Sequence, residues 1–109
     1  MLVRGDQTAS RWNLSSPADP GAKEIAILVE GGACVEQDGT RITTEIVEIV
    51  VENEDPVLIT AWTREVNMLT GCSGIGITLE AKALLDLPLG DRKFLDGGLI
   101  PPANIQNQP

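Results

Sequence analysis

Eight of the ten residues 42–51 are β-branched, and no other feature of this chain limits its fold as strongly. Two heavy atoms on Cβ stiffen the side chain and suit a pleated surface better than a helix. The turn-forming run Asn53-Glu54-Asp55-Pro56 ends that stretch, and a second apolar run, residues 57–62, follows at once. Two β-rich runs joined by a short turn predict an antiparallel hairpin over residues 41–64. A helix competes for the first run, because Ile42, Ile46, Ile49 and Val50 share one helical stripe and Glu45, Glu48 and Glu52 another. The β-branched content decides for strand.

As a strand, the first run is apolar on two sides. Val47, Ile49 and Val51 alternate onto one face, and Ile42, Ile46 and Val50 onto the other, with Glu48 among them. A small domain has one core to offer, so the second face needs a cover: the N-terminal arm, the C-terminal segment or another subunit. Trp62, on the returning strand, is an anchor either for the core or for an interface. Ile42, Ile46, Val50 and Trp62 are therefore the candidate interface residues.

The rest of the chain fits the same class. Residues 1–22 are polar and broken by Ser15-Ser16-Pro17 and Asp19-Pro20-Gly21, which predicts an arm. A short edge strand over residues 10–14 would place Trp12 and Leu14 on one face. The tripeptide Arg4-Gly5-Asp6 matches a cell-adhesion motif, but three residues recur by chance and carry no weight alone. Residues 25–29 are apolar throughout and predict a strand buried on both faces. Gly31-Gly32 predicts a turn, residues 33–36 a short strand, and Asp38-Gly39 a tight turn. Strands over residues 23–64 would then form a four-strand meander. Beyond a glycine-rich loop at residues 66–76, apolar residues recur at every second position from Ile75 to Leu87, the pattern of a half-buried strand. Residues 79–87 are also good helix formers with Thr78 as a candidate N-cap, so one short helix there is the alternative. A last short strand is expected over residues 92–95 and a flexible tail from Pro101 onward.

The expectation is a single mainly β domain over residues 23–100, an antiparallel sandwich or partly open barrel, or an α+β fold if residues 79–87 are helical. One domain suits 109 residues. Only Trp12, Trp62 and Phe94 are aromatic, so Ile, Val, Leu and Ala must fill the core.

Net charge is −8, and all of it arises in residues 24–55, where nine acids stand against Arg41 alone. Such a surface repels phosphate backbones, which disfavours nucleic acid as a partner. No apolar run approaches the ~20 residues of a membrane span, and the N-terminus lacks the basic-then-apolar order of a signal peptide. These features predict a soluble, cytoplasmic protein. In that setting Cys34 and Cys72 are expected as buried thiols rather than a disulfide.

Histidine and tyrosine are both missing, which removes the commonest general base and the usual zinc sets. No cofactor is implied. The one stretch resembling a functional loop contains Gly71, Cys72, Ser73, Gly74 and Gly76, where glycine amides could converge on an anion and lower a thiol pKa. It completes no phosphate-loop signature and holds no Lys or Arg. The acid clusters Glu52/Glu54/Asp55 and Glu36/Asp38 lack the spacing of a calcium loop.

Three functions are compatible with these residues. The first is a non-catalytic protein-binding or assembly module acting as a homo-oligomer, carried by the two-sided hairpin. The second is a small enzyme or ligand-binding domain at the glycine-rich loop, with Cys72, Ser73 and a carboxylate such as Glu65 or Glu80. The third is an acidic inhibitor of a basic protein.

Overall fold

The computed structural model describes residues 2–36, 39–53, 55–66, 73–98, 103 and 104. Among the described residues ten strands form two sheets and no helix occurs. The first sheet contains β1 (Val3–Arg4), β2 (Gln7–Ser10), β6 (Thr44–Glu52), β7 (Val57–Glu65), β9 (Phe94–Asp96) and β10 (Ala103–Asn104). The second contains β3 (Trp12–Leu14), β4 (Glu24–Glu36), β5 (Gly39–Ile42) and β8 (Ser73–Leu84). The protein is mainly β, a small sandwich whose first sheet curls toward a half-barrel.

The expected hairpin is β6–β7, antiparallel from Thr44↔Glu65 to Glu52↔Leu58. Its first strand starts later than predicted, because Ile42 belongs to β5 in the other sheet. Its two-sidedness is resolved by a β-bulge. The register slips between Ile46 and Glu48, so Val47 is an extra residue and the inward phase changes from even to odd. Ile46, Ile49 and Val51 then all pack on the core, while Glu45, Glu48 and Val50 face outward opposite Arg64, Trp62 and Thr60. One inserted residue thus gathers on one side apolar groups that strict alternation would split.

Gly31-Gly32 does not turn the chain. Both glycines lie within the 13-residue strand β4, so the four-strand meander is replaced by one long strand that pairs with β8 along twelve positions. The glycines are there for close approach. A Cβ on Gly31 would stand 3.0 Å from the Thr44 Cβ and 3.3 Å from Leu79, and one on Gly32 3.3 Å from the Thr43 hydroxyl. At this crossing the chain passes from β5 in one sheet to β6 in the other. The Thr43 amide donates to the Gly32 carbonyl (3.0 Å) and the Gly32 amide donates to the Thr44 hydroxyl (2.8 Å). A matching hand-over joins β2 to β3 at Arg11, whose carbonyl accepts from the Glu30 amide (2.9 Å). Strands that change sheets at such bends close the corners of a sandwich.

The alternating stretch after Gly74 is strand, not helix. Ile75, Ile77, Leu79, Ala81 and Ala83 lie beside the inward residues Ala33, Gly31, Val29, Ile27 and Ile25 of β4. The strand ends at Leu84; the inward phase persists through buried Leu85 and fails at Leu87, which is exposed. The last predicted strand is β9, parallel to β7 through Val57↔Phe94 to Ile59↔Asp96. Of the C-terminal tail, Ala103–Asn104 pairs with β9.

Between the sheets lie Trp12, Ile25, Ile27, Val29, Val57, Ile59, Ala61, Ala83, Leu85, Leu89 and Phe94. The N-terminal segment read as an arm supplies strands to both sheets and the tryptophan of this core. Trp12 is only 1% exposed and stacks on Phe94 with 6.2 Å between ring centroids.

Candidate functional site

Three regions bear on function: the outer face of the hairpin, the distal end of the second sheet and the turn at Asp96. On the hairpin, the four residues predicted to form one interface are separated. Ile46 packs against the core, and Ile42 sits on β5, in the other sheet. Val50 and Trp62 share the outer face of the first sheet, both partly covered.

The cover over Trp62 comes from the β1–β2 hairpin. The Arg4 guanidinium lies 4.4 Å from the indole centroid, donates to the Gln7 side-chain carbonyl (2.7 Å) and pairs with Glu48 (2.5 Å). Cation–π stacking holds an arginine flat on an indole. Beside it, Arg64 pairs with Glu45 and lies 3.8 Å from Asp6; the Glu45 hydrogen bond raises the Arg64 pKa. Arg4-Gly5-Asp6 does occupy a turn, with Gly5 at φ +59°. Its arginine is committed to Trp62 and Glu48, however, and does not project from the tip.

The glycine-rich loop does not persist as a loop over the predicted span. Gly71 and Cys72 lie outside the described residues. Ser73, Gly74 and Gly76 belong to β8, where Gly74 and Gly76 pair with Cys34 and Gly32. Extended backbone cannot converge its amides on one anion as a curved loop does. Cys34 is buried and disulfide-bonded, which overturns the expectation of two free thiols; the only other cysteine in the chain is Cys72. Of the proposed carboxylates, Glu65 accepts from the Thr44 hydroxyl (3.3 Å) near the crossing, and Glu80 is exposed on the outer face of β8. Glu80 and Lys82 border an open hollow of about 350 Å³, lined also by Ser15 and Ala26.

The distal end of the second sheet carries a cluster of half-exposed apolar residues. β4 and β8 run 13 and 12 residues against nine for β6 and β7, so their ends extend past the crossing at Gly31. Ala33 is flanked by Ile42 on one side and Ile75 on the other, with Val35 next along β4. Val35 is 45% exposed, Ile42 49% and Ile75 44%, and Val47 at the bulge is exposed as well. The signal for this surface is the odd-position alternation itself, which runs on beyond the point where a facing sheet can cover it.

Asp96 escaped the sequence analysis. It is 1% exposed; its Oδ1 accepts from the Gly98 amide at 2.8 Å, and its Oδ2 has no hydrogen-bond partner. Burial pushes its pKa up, opposed by the amides of Gly98 and Trp12 and by the Arg11 charge. A carboxyl whose folded pKa is raised stabilises fully below its unfolded pKa, and this contribution is lost as pH rises through the folded value. Asp96→Asn keeps an oxygen for Gly98 and removes the buried charge. The urea midpoint of the variant minus that of the parent should therefore increase from pH 3.5 to pH 7. A pH-independent difference would show that the carboxyl titrates alike in the folded and unfolded chain, and that burial does not raise its pKa.

Among the described residues no cluster of three acids or cysteines could hold a metal ion, and no helix is long and apolar enough to cross a membrane. No protein-family model, curated protein or solved structure matches the chain.

Proposed function

We propose that this protein is a non-catalytic assembly or protein-binding module that acts as a homo-oligomer. The observation that carries it is the distal end of the second sheet, where Val35 and Ile75 are nearly half exposed on the face that, nearer the centre, is core. Apolar surface continuous with a core and left nearly half exposed is the usual mark of a contact between chains. The outer face of the hairpin supports self-association less, because Arg4 already covers Trp62 and the bulge turns Ile46 inward.

Cys34 is disulfide-bonded. Disulfides persist in oxidising compartments, so the working environment proposed here is oxidising rather than the cytoplasm.

Light scattering on the purified chain is the test. The expected mass exceeds the 11.6 kDa of one chain, and Ile75→Glu, at an exposed position, should lower it while leaving the β-sheet circular dichroism intact. A monomer at micromolar concentration would sink the proposal.

A further inference from the structure

The two long edge strands are treated differently. A free edge presents unpaired amides and carbonyls to any other strand, and folds guard such edges with bulges, prolines, short lengths or massed charge. β6 is guarded: it carries the bulge at Val47 and the exposed acids Glu45, Glu48 and Glu52. β8 has none of these devices. It pairs with β4 in unbroken register over all twelve residues, contains no proline, and among the described residues has no strand on its other side.

The outward residues of β8 are also self-complementary. Gly74, Gly76, Thr78, Glu80, Lys82 and Leu84 share its outer face, so an acid and a base stand two positions apart. When two copies of one strand join about a two-fold axis normal to the sheet, outer faces meet outer faces and the axis passes through a residue paired with itself. Centred on Glu80 the join opposes two acids; centred on Lys82 it opposes two bases. Centred on Ala81 it places each Glu80 opposite the other copy's Lys82, twice. The same register sets small Ala81 against Ala81 on the inner face, and places Leu84, 62% exposed in the single chain, opposite Thr78 and beside Gly76.

We infer that the free edge of β8 is the seam along which two copies of this chain join, antiparallel and centred on Ala81, giving one continuous sheet of eight strands across the dimer. This rests on the self-association proposed above and adds to the distal apolar face a second surface, the strand edge over residues 78–84, which Ile75 lies outside. Lys82 also pairs with Glu24 at 3.3 Å, but both are well exposed, and an exposed pair of this kind does not hold Lys82 away from a partner.

Charge reversal tests the register directly. In Glu80→Lys both cross-strand pairs become base against base, and in Lys82→Glu acid against acid. Each single variant should raise the dimer dissociation constant by about tenfold to thirtyfold, as two attractive cross-strand pairs turn repulsive. The double variant E80K/K82E should restore dimerisation, and an equal mixture of the two single variants should form a heterodimer in sedimentation experiments. Circular dichroism of each variant checks that the fold is retained. Single variants that dimerise like the parent would overturn the seam while leaving the proposed function standing. Weakened single variants that neither the double variant nor the mixture rescues would overturn the Ala81 register. A parent chain that stays monomeric would overturn both proposals.

Discussion

Trp12→Ala is expected to cost about 3–5 kcal/mol of stability, a large share of the ~5–15 kcal/mol that holds a typical domain folded. The residue belongs to β3 of the second sheet, yet its Nε1–H donates to the carbonyl of Ile59 on β7 of the first at 3.0 Å. Its ring also stacks on Phe94 of β9, at an interplanar angle of 27°. Truncation opens a cavity where the sheets meet and removes a bond that joins them. Trp12→Phe separates the two effects. The Ile59 carbonyl still accepts from the Gly97 amide at 2.9 Å, so the loss of the indole donor should cost only about 0.5–1.5 kcal/mol. Urea unfolding followed by circular dichroism gives both values, with Trp62 remaining as a fluorescence reporter. An alanine variant as stable as the parent would mean that the sheets are held together elsewhere.

Reduction is the second large perturbation. Breaking the disulfide at Cys34 should lower stability by about 2–5 kcal/mol, since a cross-link limits the freedom of the unfolded chain. Cys34 lies in the distal part of β4, past the crossing at Gly31 and away from most of the core. There, few buried apolar contacts could compensate for the loss. The urea midpoint with and without a thiol reductant measures the effect, and Cys34→Ser should reproduce the reduced value. Equal midpoints would show that the distal end stands without its cross-link. A fold that weakens under cytosolic redox conditions would fit the oxidising environment proposed for it.

The strand content was largely legible in the residues. β-branched density located β6, the Asn53–Pro56 turn located the return into β7, and alternation located β8 against the helix propensity of its last residues. The errors share one origin, which is that local patterns carry no information about the partner element. Gly31-Gly32 resembles a turn because glycine is permissive; here it is small because Thr43 and Thr44 pass directly over it. Val47 resembles any other member of a β-branched run, and nothing local reveals that it is the extra residue of a bulge. The cover on Trp62 joins residues 58 positions apart, and the burial of Asp96 depends on a turn that packs against Ala9. Neither leaves a periodic trace.

By itself, the sequence determined where this chain is extended and where it bends, because β-branched crowding and turn chemistry act within a few residues. It also determined that alternate side chains must part to opposite faces, since a strand has a period of two. Which face meets the core was decided only by the tertiary structure. One inserted residue reverses the phase of β6, a crossing strand sets how far along β4 and β8 the cover extends, and a side chain from the N-terminal hairpin closes over the indole. Side-chain alternation is a local property, whereas burial belongs to a pair of surfaces and exists only once both are in place.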